Sequence, residues 1–251
     1  MLRIADDALV LTALPHGEHG AVVRFLTFQH GLRAGYVPGA RGRSRRALIQ
    51  PGSRVALSLT ARSEGQLPSA TVESVAARAL IMFDTKATAT LSWLTLLTSE
   101  TLSEAMPHPR LAAALDALLA GLDAGISPAE ARAATARFEL LLLSEEGLGL
   151  DLGQCALGGP ADDLAFVSPH SGRAVSRAKA AGQPWAGRLL PLPAFLLSGA
   201  SPTAGDTDAA LALTGFFLAR HWFDSHPRLA AARADFLGTS RERVGTGAPD
   251  V

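Results

Sequence analysis

The chain of 251 residues has one cysteine, Cys155, and one tyrosine, and aromatic residues make up only 6% of it. A single thiol excludes an internal disulfide and a four-sulfur zinc site. Lysine is nearly absent as well: Lys86 and Lys179 are the only two among 23 basic residues. With alanine and glycine so frequent, this bias fits a GC-rich genome, so arginine preference by itself says little about phosphate recognition. Neither sign of charge is in excess, because 23 acidic residues bring the formal net charge to zero. That balance argues against a uniformly basic DNA-coating protein. No apolar run reaches the roughly 18 residues of a membrane span. The opening Met1-Leu2-Arg3-Ile4-Ala5-Asp6-Asp7 lacks the apolar core of a signal peptide, so a cytoplasmic protein is expected.

What is present is enough apolar material for a real core: 48% hydrophobic against 18% charged residues excludes a disordered chain. The length suits two modest domains. The charge is also unevenly spread. Residues 1–78 hold ten arginines against five acids, leaving the rest of the chain with 13 basic and 18 acidic residues. Such a split is the composition expected when one half meets a polyanion. The densest point is Ala40-Arg41-Gly42-Arg43-Ser44-Arg45-Arg46, which reads as a loop able to bind a phosphate backbone or, equally, as a solvated charge run.

The period of the apolar pattern changes near residue 80. Before it lie short segments rich in β-formers, at 8–14, 21–28, 31–38, 54–60 and 70–75, bounded by glycine, proline or charge. In 54–60, Val55, Leu57 and Leu59 alternate onto one face. Five short strands in this space predict a small closed barrel, since closure removes sheet edges. After residue 80 the spacing predicts helices over 86–105 and 108–122, with Trp93, Leu94, Leu96 and Leu97 as core, and a third from the Ser127-Pro128-Ala129-Glu130 capping box to Gly147 or Gly149. A late helix over 206–223 takes Asp206 or Thr207 as its cap. Glycines and prolines from 147 to 193 predict an irregular insert, and the polar tail from 238 reads as frayed.

Catalytic patterns fail on inspection. Ser176-Arg177-Ala178-Lys179 is formally S-x-x-K but has no S-D-N or K-T-G partner. His221 and His226 are five apart, and no glutamate follows the first as H-E-x-x-H requires. Gly39-Ala40-Arg41-Gly42 lacks the G-K-[ST] ending of a phosphate-cradling loop.

Three separated motifs carry a resemblance. The first is Pro15-His16-Gly17-Glu18 with Arg24, Phe25, Leu26-Thr27, His30-Gly31-Leu32 and Gly39-Ala40-Arg41-Gly42. The second is Arg137-Phe138-Glu139-Leu140-Leu141-Leu142 with Gly147-Leu148-Gly149-Leu150-Asp151-Leu152 and Cys155, and the third is Phe166-Val167-Ser168-Pro169 with Gly172. In order and spacing they resemble the RecO family of bacterial DNA-repair and recombination mediators. The resemblance implies an α+β architecture: a five-stranded OB-fold barrel, then an all-helical domain interrupted by a zinc-finger-like insert. Here that divides the chain into an OB-fold DNA-binding domain at 1–79, a helical domain at 80–237 with the insert at about 148–190, and a flexible tail at 238–251.

Many members of the family carry C-x-x-C twice in the insert, but here only Cys155 stands in place, with Gly158, Ser176 and Lys179 at the other positions. No metal and no cofactor is therefore expected. Packing of Leu157, Leu164, Phe166 and Trp185 should hold the insert, with Cys155 as a small buried hydrophobe. The implied function is non-enzymatic: single- and double-stranded DNA binding, strand annealing, and help for a recombinase in replacing single-strand-binding protein, in a nucleoid-associated setting. The implied partners are DNA, a RecR-type mediator, the tail of single-strand-binding protein and, indirectly, the recombinase. Arg41, Arg43, Arg45 and Arg46 are the expected phosphate contacts, with Arg24 and Arg33 as further candidates, and Arg132 and Arg137 near Phe138 as candidates for an acidic partner tail. The competing reading is a protein-interaction scaffold of a repair complex that touches DNA only weakly.

Overall fold

The computed structural model describes residues 1–63 and 65–239. The expected frayed tail falls mostly on 240–251, which lies outside the described residues. Two compact units are present, Met1–Ile126 with the segment from Ser225, and Ser127–Asp224.

The first unit opens with β1 (Leu2–His16), β2 (Gly20–Thr27), β3 (Leu32–Val37), a short helix α1 (Arg43–Leu48), β4 (Arg54–Ala61) and β5 (Ser69–Ala76). The strands close in the order β1-β2-β3-β5-β4. Closure is possible because β1 is long enough to serve two neighbours: Leu2 to Leu9 pair with β4, and Ala8 to His16 pair with β2. The register slips between Val10 and Thr12, a bulge of the kind that bends a strand around a barrel. Alternation then sends Val10, Val23, Phe25, Val55, Leu57 and Leu59 inward to form the core.

Helices α2 (Thr85–Thr101), α3 (Pro109–Asp123) and, after the second unit, α7 (Pro227–Leu237) complete this unit. Asp84 caps α2 by accepting from the amides of Lys86 and Ala87 at 2.7 and 2.9 Å. The helix ends at Thr101, four residues short of the expected limit. Trp93, Leu94 and Leu97 are fully buried, as their spacing predicts, whereas Leu96, expected with them, is half-buried. Thr95, Thr98 and Thr101 are buried too, and each hydroxyl donates to the carbonyl four residues back at 2.7 to 2.9 Å. Helix α7 was not expected. It starts on Pro227, packs on α2 through Leu229 and Phe236, and sets Arg233 5.7 Å from the Trp93 ring.

In the second unit, α4 (Pro128–Glu145) begins with the expected capping box between Ser127 and Glu130. The insert is more ordered than its composition predicts. It forms a three-stranded sheet from β6 (Leu164–Val167), β7 (Ala174–Ser176) and β8 (Leu190–Pro191), with the single turn α5 (Arg177–Ala180). Strands of four, three and two residues are too short to show a period. Helix α6 (Ala204–Leu218) is capped by Thr203, not by Asp206 or Thr207, because Asp206 occupies the third position of a second capping box. Glu139 of α4 is wholly buried and accepts from the Thr214 hydroxyl of α6.

An arginine-carboxylate network ties the barrel to α3. Asp116 accepts from Arg54 Nη1 at 2.8 Å and from Arg78 Nη2. Arg54 also holds Asp7 of β1 at 2.6 Å, and Arg78 donates to the Gly52 carbonyl at 2.7 Å. The Asp7 hydrogen bond raises the Arg54 pKa above its ordinary value against the opposing desolvation, and Asp116 adds to the effect. The Arg78 side chain is only 7% exposed, so removing its partner strands a buried charge. Asp116→Ala is therefore expected to destabilise the first unit by about 3 kcal/mol in urea unfolding, well above the 0 to 1 kcal/mol of a surface pair.

Candidate nucleic-acid interface

The arginine cluster is a helix rather than a loop from Arg43 onward. Arg, Ala and Leu are good helix formers, and once Gly42 has bonded back to Gly39 at 3.0 Å the next residues wind into α1, with the Arg46 amide donating to the Gly42 carbonyl at 2.9 Å. The buried Ile49, part of the barrel core, anchors its far end. The preceding turn docks on the β1–β2 hairpin, where the Arg41 amide donates to the His19 carbonyl at 3.3 Å. Arg41, Arg43, Arg45 and Arg46 are all exposed.

Their tasks differ. Arg45 turns back and donates to the Pro38 carbonyl, lying across Gly39 and bracing the turn. Among the described residues no carboxylate stands within ion-pair distance of Arg41, Arg43 or Arg46, so those three project with their charge uncompensated. Arg41 and Arg46 border a groove of about 460 Å³ whose walls include Ala13, Pro15, Ile49 and Pro51.

The remaining candidates lie elsewhere. Arg24 is half-buried, with Nη2 3.7 Å from Glu104. Arg33 is the second residue of β3, whereas the arginine segment follows the strand's end, and the Arg33 Nε donates to the His30 carbonyl at 2.9 Å. Arg54 and Arg78, which also contribute to the basic surplus of the first 78 residues, are held by Asp7 and Asp116. In the second unit Arg132 pairs with Asp208 at 2.8 Å. Arg137 donates to the carbonyls of Phe195 and Ala200 and stacks 5.0 Å above the Phe195 ring, while Phe138 is buried. Of the aromatics near the cluster, Phe25 is in the core, Phe28 is half-buried and carries Arg54 on its face at 4.8 Å, and Tyr36 is half-buried.

Three of the zinc-ligand positions implied by the resemblance, Cys155, Ser176 and Lys179, still lie together, whereas a side chain at Gly158 would meet none of them, and their chemistry does not fit the metal. The Ser176 amide donates to Cys155 Sγ at 3.2 Å, and the Ser176 hydroxyl lies 3.5 Å from the same sulfur while capping α5 at the Lys179 amide. Gly158 has φ +66°, where a cysteine would be strained, and an ammonium at Lys179 cannot ligate while protonated. Val175, Ala180, Leu164, Phe166 and Trp185 pack around this point; Leu157, expected among them, is exposed. Burial pushes the Cys155 thiol up, but hydrogen bonds from Ser176 and from the Leu157 and Gly159 amides outweigh it and bring the pKa down to about 7. A depressed folded-state pKa favours the fold above the ordinary thiol value, and that contribution fades as pH falls through about 7. Because the chain has one thiol, its ultraviolet thiolate absorbance reports this site alone. A midpoint near pH 7, moved upward in Ser176→Ala, is expected, together with substoichiometric zinc in the purified protein by elemental analysis.

A family model described as Recombination protein O N terminal matches residues 1–78, and another, described as Recombination protein O C terminal, matches residues 82–230. The DNA repair protein RecO of Phenylobacterium zucineum is 45% identical over 219 residues, covering 86% of this chain and 88% of that protein. That of Paracoccus denitrificans is 46% identical over 222 residues, 88% of each, and that of Mesorhizobium japonicum 40% identical over 249 residues, 96% and 94%. The chain therefore belongs to the RecO family, with a role in DNA repair and recombination.

Proposed function

We propose that this protein is a non-catalytic DNA-binding mediator whose barrel end, bearing Arg41, Arg43 and Arg46, holds the phosphate backbone. The observation that carries the reading is that these three guanidinium groups are exposed and clustered and that no carboxylate among the described residues pairs with them, in a chain of zero net charge. Unpaired clustered cations repel one another unless a polyanion joins them. Arginine suits the task because its planar fork bridges two phosphate oxygens. Arg45 supports the same surface by bracing its turn, and Arg24 and Arg33 extend it once released from their internal partners.

The five-stranded order β1-β2-β3-β5-β4 supports reading this part as an OB-fold, a scaffold that commonly binds oligonucleotides. We take residues 1–79 as the OB-fold DNA-binding domain and 80–237 as the helical domain, with a degenerate, metal-free zinc-finger-like insert at about 148–190. Bound this way, DNA is held by charge with little reading of sequence, which is what annealing of arbitrary strands and delivery to a recombinase require. The helical part then offers surfaces to a RecR-type mediator and to the tail of single-strand-binding protein, with Arg132 and Arg137 as the cations for its acidic residues. A cytoplasmic, nucleoid-associated location follows from that role, and no described helix is long and apolar enough to cross a membrane.

Fluorescence anisotropy of a labelled single strand across a salt series tests the proposal. If four to six phosphates are engaged, log affinity should fall against log salt with a slope of roughly −3 to −4, and replacing Arg41, Arg43, Arg45 and Arg46 by alanine should flatten it. A slope near zero in the unaltered protein contradicts the arginine reading and favours a scaffold with weak DNA affinity.

A further inference from the structure

The outer face of β1, β2 and β3 is divided in two. At one end Leu9, Leu11, Leu26 and Leu32 are fully buried although they lie outside the barrel core, because α2 and α3 pack there. At the other end no helix among the described residues covers the sheet. Val22 stands opposite both Leu14 and Tyr36, and His16 opposite Gly20, so alternation puts all four side chains on this open face. Leu14 is 59% exposed, His16 is exposed, and Tyr36 and Val22 are half-buried. The Tyr36 ring lies over Gly20, where a Cβ would stand 2.2 Å from its Cε2, and meets the His16 ring edge-on at 6.0 Å. An apolar strip with a flat ring is thus held at the same barrel end as the arginine segment, which leaves β3 just after Tyr36 and docks on the adjoining hairpin at His19.

We infer that Tyr36, flanked by Leu14 and His16, is a stacking platform for an unpaired nucleobase whose neighbouring phosphates lie on the arginine segment. This rests on the proposed phosphate binding by Arg41, Arg43 and Arg46 and adds to it a preference for single strands. The occupant follows from the chemistry of the two adjoining surfaces. A ligand with a polyanionic backbone and a flat apolar group at every repeat satisfies both, whereas duplex DNA offers phosphates but keeps its bases stacked inside. Tyr36 is suited to the role because Phe25 is in the core and Phe28, also half-buried, already carries Arg54 on its face, so of the three aromatics before residue 80 it is the one that stands on the open face beside the arginine segment. Gly20 fixes the ring's position, since any side chain there would displace it.

The competing role for Tyr36 is structural, a ring that only covers a glycine in a strand. Anisotropy with the full-length protein separates the two. A single-stranded oligonucleotide and an abasic strand of the same length and charge are compared on the unaltered protein, on Tyr36→Phe and on Tyr36→Leu, with thermal melting as a check on folding. A stacked base contributes enough to make the base-bearing strand bind about tenfold tighter, in the unaltered protein and in Tyr36→Phe. Tyr36→Leu should bring the two strands to equal affinity while leaving the salt slope unchanged. Equal binding of both strands by the unaltered protein, or a tenfold preference that survives in a folded Tyr36→Leu, overturns the inference while phosphate binding stands. Absence of salt-dependent binding to either strand overturns the phosphate reading and this inference with it.

Discussion

The carboxylate of Asp116 is the point on which the first unit turns. Two guanidinium groups of the barrel, Arg54 on β4 and Arg78 just after β5, converge on it from strands that are neighbours in the sheet, and Asp7 of β1 completes the set. An arginine pair this enclosed is stable only if each donor finds an acceptor, and here the Gly52 carbonyl and the Asp116 backbone take the donors that the carboxylates leave. The network therefore fixes which part of the barrel meets α3. With α3 fixed there and α2 packed on β1, the outer faces of β1 and β2 are covered at one end and open at the other.

That arrangement sorts eight of the ten arginines of the first 78 residues by task, which their count cannot do; Arg3 and Arg62 lie exposed outside it. Arg54 and Arg78 act as internal fasteners, Arg33 and Arg45 brace turns, and Arg24 faces Glu104. Arg41, Arg43 and Arg46 project from the barrel end that no helix among the described residues covers. A chain with no net charge can present a local cationic surface because its acids are spent on the fasteners and helix caps, as with Asp7, Asp84, Asp116 and Glu130.

Much of the fold was legible because the barrel strands and long helices obey simple periods. Val55, Leu57 and Leu59 announce a half-buried strand, and Ser127-Pro128-Ala129-Glu130 announces a helix start that forms as written. What escaped the reading was short or lacked a polar and an apolar side to contrast. Helix α1 has six residues, three of them arginines, and no buried position. The insert strands are held by tertiary pairing and by Cys155, not by any repeating pattern. Helix α7 left a signal that could have been used: Pro227 at its first turn, Leu229 and Phe236 seven residues apart, and Gly238 as its left-handed end. At the candidate site the cationic segment was legible from composition. The open face of Leu14, His16 and Tyr36 was not, because exposure of one end of a strand depends on where the helices pack.

The central claim is that nucleic acid lies on the uncovered barrel end, along the arginine segment and the strand ends beside it. Amide hydrogen exchange of the full-length protein with and without a single-stranded oligonucleotide tests it most directly. Slowed exchange concentrated in residues 14–22 and 36–48, with 127–224 unchanged, is the predicted outcome. Protection confined to 127–224, with the barrel end exchanging as in the free protein, would contradict the account.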